Sequence, residues 1–142
     1  MPHSYSRIWI HAIWSTKKCD PYIHPSIEGF VFEKMKNVYT AAGCIIKIIN
    51  GMPDHVHSLF TLNPKRPVTE VIQLVKGNSS NWFNEQEFIS QKFAWQTGFA
   101  AYSVSESALN RVYQHILRQK EHHKKRTFNE EYIELVRLHG FN

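Results

Sequence analysis

Two largely apolar runs, CIIKIIN at 44–50 and HVHSLFTL at 55–62, are joined by the short loop NGMPD. Runs of this length and composition are typical of strands, and so short a connection brings two strands together as an antiparallel hairpin. The chain therefore has to build a sheet around this hairpin, and its other elements have to cover it.

The second strand of this hairpin carries two histidines, His55 and His57, one residue apart. Side chains alternate between the faces of a strand, so both histidines point to one face and Val56 points to the other. Imidazole is the commonest neutral metal ligand, and a pair on a rigid strand provides two ligands of a three-ligand site. Surface or hydrogen-bonded histidines are the simpler alternative.

Hydrophobic periodicity and end signals predict the other elements. These are a strand at 7–15 covered on both faces, helices at about 26–42 and from Thr69, a strand at 92–104, a helix from Ser105 to about 123, and a short helix from Thr127 to about Gly140. Hairpin-linked strands interspersed with helices predict an α+β, ferredoxin-like sandwich with a mostly antiparallel sheet. The 142 residues show no repeat or linker, which favours a single domain over 1–142.

Charge and composition restrict the class of partner. The net charge is +5, and basic residues gather between Arg111 and Arg126 against one acid, Glu121. A polyanion such as nucleic acid fits this pattern, although a solvated helix face produces it too.

Cys19 and Cys44 are isolated, so a disulfide framework has little support. The N-terminus lacks a signal-peptide pattern and no stretch nears the length of a membrane span, which predicts a cytoplasmic protein without a membrane partner.

A third ligand can come from the helix ALNRVYQHILRQKEHHKK. Its core-facing stripe is predicted to comprise Leu109, Val112, Tyr113, Ile116 and Leu117. His115 and Gln119, four residues apart, lie on the opposite polar face, which can supply a nitrogen or an amide oxygen to the histidine pair. A zinc ion held by three imidazoles, with His115 or His122 as the third, is an alternative that predicts a small zinc hydrolase.

Four segments, in this order along the chain, resemble one family. They are NGMPDHVHSLF at 50–60, KGNSSNW at 76–82, WQTGF at 95–99 followed by SVS at 103–105, and HILRQKEHHKKRTFNEEY at 115–132. The family is that of the single-tyrosine HUH transposases, which move insertion sequences as single-stranded DNA, and their palindrome-associated relatives. The resemblance implies a homodimer that nicks and rejoins single-stranded DNA at hairpin-bearing element ends through a covalent protein–DNA intermediate.

The resemblance also implies roles for individual residues. His55 and His57 correspond to the HUH pair, and Gln119 to the third ligand of a Mg²⁺ or Mn²⁺ ion. In the family a tyrosine four residues before the glutamine attacks phosphorus, and here that position is His115. Tyr113 lies six positions from Gln119, about 120° away around the helix, in the apolar stripe. Three hypotheses follow: the chain binds DNA but has lost its nucleophile, His115 attacks in place of tyrosine, or another tyrosine enters from a mobile helix.

Basic residues around the proposed site are expected to neutralise DNA phosphates. They are Lys17, Lys18, Lys76, Arg111, Arg118, Lys120, Lys124 and Lys125. The apolar first strand, RIWIHAIW, is compatible with an exposed edge that extends the sheet across two subunits, as the resemblance implies, or with an edge covered by a local helix.

Overall fold

A four-stranded antiparallel sheet forms the centre of the protein, for which the computed structural model describes residues 4–122 and 127–139. The strands are β1 (Trp9–Ser15), β2 (Ile45–Met52), β3 (His55–Thr61) and β4 (Ala100–Val104), in the order β2-β3-β1-β4. One helix lies between β1 and β2 and another between β3 and β4, which gives the β-α-β-β-α-β order of a ferredoxin-like domain. The predicted fold class is confirmed.

The described structure also has two 3-10 helices, Lys17–Cys19 and Glu106–Ala108, and five α-helices: α1 (Glu28–Ala41), α2 (Val68–Gln86), α3 (Leu109–Leu117), α4 (Gln119–His122) and α5 (Phe128–Leu138). Helices α1 and α2 pack on one face of the sheet, over a large core that includes Tyr39, Phe60 and Phe83. Helix α3 packs on the other face through a smaller core of Leu59, Val104, Val112 and Ile116. None of the helices within 4–122 and 127–139 combines the length and the hydropathy that a membrane span needs.

One strand and one helix predicted from the sequence are longer than the corresponding elements of the structure. The strand expected at 92–104 is regular only as β4 at Ala100–Val104, because the chain turns at Gly98 (φ 92°). Before this turn Trp95 makes an isolated bridge to Thr16, and Phe93 and Trp95 pack into the large core. The helix expected from Ser105 to about 123 begins with a 3-10 turn and breaks at Arg118 (φ −93°, ψ 20°), which separates α3 from α4. Leu117, expected in the core-facing stripe, precedes this break and is 48% exposed.

Strand β1 is central rather than at an edge. It is hydrogen-bonded to β3 on one side and to β4 on the other, so the expectation that it extends the sheet to a second subunit was wrong. Its apolar sequence reflects burial on both faces of the sheet, as predicted, since all its residues after Trp9 are buried. The homodimer stays a prediction, and β2 and β4 are the edges of the described sheet.

Candidate metal centre

The hairpin of β2 and β3 places both histidines of the HxH pair on the face covered by α3. His55 and His57 are fully buried, and their ring centroids lie 5.2 Å apart. On the other face of β3, Val56 and Phe60 enter the large core. The alternation predicted from the sequence is therefore confirmed, and it directs two imidazoles away from the main core.

The polar face of the helix predicted after Ser105 does meet this pair. Gln119 begins α4 and is fully buried, and its Oε1 lies 3.2 Å from Nε2 of His55. The ring of His115, on α3, lies 6.1 Å from that of His57 between centroids. The end of α3 is held to β2 by Asn50, whose side-chain amide donates to the carbonyl of Ile116 at 3.0 Å.

Glu131, on α5, is a site residue that the sequence analysis missed. It is fully buried, with Oε2 at 3.2 Å from Nε2 of His55 and Oε1 at 3.2 Å from Nε2 of His57. The Gln119 amide donates to Oε1 at 2.5 Å. A signal was present in the sequence, because Glu131 lies four residues before the buried Leu135, and an acid on the buried side of a helix needs a partner.

The donor set fits a divalent metal ion. One ring nitrogen from each of His55 and His57 and a carboxylate oxygen of Glu131 all lie within 4.8 Å of one another. Imidazole and carboxylate are ligands of divalent ions such as Mn²⁺ and Zn²⁺. Among the described residues, the histidine, cysteine and acidic side chains close enough to share an ion are those of His55, His57 and Glu131. This set has two imidazoles and a carboxylate, whereas the zinc alternative needs three imidazoles. The side chain of His122, named in that alternative, lies outside the described residues.

Neighbouring groups orient both histidines. Asp54 Oδ1 lies 2.7 Å from Nδ1 of His55, and Nε2 of the buried His11 lies 3.0 Å from Nδ1 of His57. The Nδ1 atom of His11 is in turn 2.7 Å from Nε2 of His139, at the end of α5. Both histidines of the pair therefore direct Nε2 towards Glu131, an arrangement typical of metal-ligating imidazoles.

The pKa values within the cluster follow from burial and hydrogen bonding. Burial would raise the pKa of Glu131, but hydrogen bonds from His115, His55 and His57 outweigh it and bring the pKa well below its usual range. Burial acts to lower the pKa of His55, but Asp54 and Glu131 raise it overall. Burial lowers the pKa of His57 to about 4, although Glu131 opposes the shift. Without metal, an ionised Glu131 therefore faces His55, whose pKa it helps to raise.

The residues predicted to contact DNA fall into three groups. Lys17, Lys18, Arg111 and Arg118 are exposed. Lys76 and Lys120 are partly buried: Nζ of Lys76 donates to the carbonyls of Gln96 and Gly98, whereas Nζ of Lys120 bonds Glu28 and the carbonyl of Gly51. Lys124 and Lys125 lie outside the described residues. All eight stay predictions as DNA contacts.

A sequence model of the family described as "Transposase IS200 like" matches residues 4–119. The chain belongs to the IS200-like transposase family. The ISDra2 transposase TnpA of Deinococcus radiodurans is 24% identical to this family member over 120 residues, and the match covers 78% of this chain and 83% of that protein.

Solved structures share the fold of this transposase. The crystal structure of a candidate transposase from Deinococcus radiodurans R1 aligns with a TM-score of 0.67 at 21% identity, over 82% of this chain and 93% of that one. A REP-associated tyrosine transposase bound to a REP hairpin aligns with a TM-score of 0.56 at 13% identity, over 80% of this chain and 66% of that one. The family match ends at Gln119, so Glu131 and α5 lie beyond it.

Proposed function

We propose that this transposase nicks and rejoins single-stranded DNA at hairpin-bearing element ends, using a divalent ion, Mg²⁺ or Mn²⁺, held by His55, His57 and Gln119. The observation that carries the proposal is the convergence of Gln119 with the histidine pair, because its Oε1 lies 3.2 Å from Nε2 of His55. A structural relative solved with a REP hairpin supports the choice of DNA substrate. Family membership leaves the zinc hydrolase alternative without support.

The bound ion would act as a Lewis acid on the scissile phosphate and fix its orientation. Neighbouring side chains already orient the proposed ligands in the absence of DNA. Asp54 and His11 hold the two imidazoles with Nε2 inward, and Asn50 fixes the end of α3, which carries His115. The site is thus built on strands and helices, which position reacting groups more accurately than loops do.

His115 is the proposed nucleophile because it stands where the family has its tyrosine and borders the cluster. Its side chain is 14% exposed, whereas those of His55 and Glu131 are fully buried, so a DNA strand reaches His115 first. Attack by an unprotonated ring nitrogen forms a phosphorus–nitrogen bond and breaks the bond between phosphorus and the 3′ oxygen. That oxygen leaves with the electron pair and takes a proton from water, which yields a 3′-hydroxyl and a 5′-phosphohistidine.

A second candidate function is DNA binding without cleavage. It is favoured by one observation: Oε1 of Glu131 lies 3.5 Å from Nε2 of His115, which places a negative charge beside the proposed nucleophile. In this candidate the histidine pair and the basic surface recognise the hairpin, and no covalent link forms.

The covalent adduct separates the two functions. With single-stranded hairpin DNA and Mn²⁺, we expect a protein–DNA adduct by denaturing gel and intact mass that survives base but is lost in acid, as a phosphoramidate is. The adduct should be absent in His115→Gln and present in the control His24→Gln, since His24 is exposed. In His115→Tyr it should become stable to acid. An adduct that forms only with His115→Tyr would instead support the DNA-binding candidate.

His11 is predicted to be a positioning residue for the ion. An ion on Nε2 of His57 leaves the ring hydrogen on Nδ1, so His11 has to accept it through its own Nε2, 3.0 Å away. We expect His11→Phe to weaken Mn²⁺ binding in calorimetry about 10- to 100-fold. His11→Gln keeps a hydrogen-bond acceptor and should recover most of the affinity, which a purely steric role would not explain.

A further inference from the structure

We propose that Glu131 is a further ligand of the divalent ion, supplied by α5 of the same chain. The inference rests on the proposed metal site and extends it beyond the three ligands implied by the family resemblance. Glu131 lies outside the region that matches the family, yet its carboxylate is fully buried among the side chains of that site.

The distances are those of ligands around an ion. An octahedral ion with ligands at about 2.1 Å has neighbouring ligand atoms about 3 Å apart. The two carboxylate oxygens of Glu131 lie 3.2 Å from Nε2 of His55 and 3.2 Å from Nε2 of His57. Both ring nitrogens face this one carboxylate, so after a small adjustment of the Glu131 side chain these three groups would hold an ion together.

Gln119 links the carboxylate to the amide ligand. Its amide nitrogen donates to Oε1 of Glu131 at 2.5 Å, while its Oε1 lies 3.2 Å from Nε2 of His55. The carboxylate therefore fixes which end of the amide faces the histidines, and the end it selects is the oxygen, which is the atom that can bind a metal. Glu131 thus acts both as a ligand and as the group that orients Gln119.

The charge balance favours a carboxylate at this position. His55, His57 and Gln119 offer only neutral ligand atoms to a dication, and the pair is fully buried. Removing a divalent ion from water is costly unless charged or strongly polar ligands compensate. Glu131 supplies the one negative charge among these four side chains.

Helix α5 is built to hold Glu131 in place. The hydroxyl of Thr127 accepts from the backbone N–H of Glu130 and caps the first turn. One turn after Glu131, Leu135 is fully buried, and a turn later His139 bonds His11. Residues 131, 135 and 139 share one face of the helix, so the docking of α5 and the binding of the ion should favour each other.

The test measures Mn²⁺ binding to the full chain without DNA, by calorimetry and by the electron paramagnetic resonance of free Mn²⁺. Glu131→Gln keeps the shape and removes the charge, and we expect its dissociation constant to rise at least about 10-fold. The matched control is Glu130→Gln, because Glu130 is adjacent and exposed, and its affinity should equal that of the unmodified protein. Glu131→Gln binding as tightly as the unmodified protein, or more tightly, would overturn the inference.

A second readout addresses α5 directly. Saturating Mn²⁺ should slow hydrogen exchange of the α5 amides in the unmodified protein and in Glu130→Gln, but not in Glu131→Gln. Loss of Mn²⁺ binding in His57→Ala together with full binding in Glu131→Gln would refute the role of Glu131 and leave the proposed metal site standing. If the unmodified protein binds no Mn²⁺, both the inference and metal dependence fail, and the adduct assay then reports on strand cleavage separately.

Discussion

Replacing His55 by alanine is expected to lower the free energy of unfolding of the metal-free protein by about 3–5 kcal/mol. His55 and Glu131 form an ion pair in which both side chains are fully buried, with Nε2 and Oε2 3.2 Å apart. Removing the imidazole leaves the Glu131 carboxylate buried without its charged partner, and that loss costs far more than the pair itself contributes. Guanidinium denaturation at pH 7 with excess EDTA measures the effect.

Two further variants identify the cause. Adding Glu131→Leu to His55→Ala removes the buried carboxylate that has lost the His55 imidazole. The double variant should therefore regain most of the lost stability. The surface pair Arg66–Glu70 is the control, because its side chains are 37% and 46% exposed. Glu70→Ala should cost less than about 1 kcal/mol. A cost of that size for His55→Ala would contradict a buried ion pair.

Local patterns were sufficient to predict the frame of the site. Strand alternation placed His55 and His57 on one face, and a spacing of four put His115 and Gln119 together, even though the helix breaks between them at Arg118. The start of α5 at Thr127 was predicted from the same kind of short-range signal, and Thr127 caps the helix. Each of these depends on geometry within a few residues, which the sequence displays directly.

Contacts between distant segments could not be predicted in the same way. The pattern around Glu131 indicated a helix, but nothing local shows that this helix docks over β3, which is why the acid was missed. His11 was missed for a similar reason, because its role depends on the pairing of β1 with β3, which brings its Nε2 to Nδ1 of His57. The proposed metal site is thus assembled from β1, β3, α4 and α5, and only their tertiary arrangement brings its parts together.

Acid should unfold the metal-free protein through the histidines that burial keeps neutral. Burial, with the neighbouring His57, holds the pKa of His11 well below 6.5, and burial lowers the pKa of His57 to about 4. The unfolded chain therefore binds these protons below pH 6.5 while the folded chain does not. Well below pH 6.5 each group removes up to about 1.4 kcal/mol of stability per pH unit, so the slope from the fully buried His11 and His57 approaches about 3 kcal/mol per unit as the pH falls towards the pKa of His57.

Three other groups, His139, His55 and Glu131, also change how the free energy of unfolding depends on pH. Burial, with His115 and Arg111, lowers the pKa of His139 to about 4, which steepens the slope. The pKa of His55 is raised, so its contribution is fully present below pH 6.5 and is lost only as the pH rises. The pKa of Glu131 is lowered, so its contribution is lost only as the pH falls below 4.5.

Denaturant midpoints at pH 7, 6 and 5 with EDTA test this profile. Stability should fall steeply from pH 6 to pH 5, and the slope should be about 1.4 kcal/mol per unit smaller in His11→Phe, which lacks one titrating group. A free energy of unfolding that is constant from pH 7 to pH 5 would mean that these imidazoles are not held neutral by burial. The arrangement proposed for the metal site, with Nε2 of a neutral His57 ready to bind an ion, would then lose its physical basis.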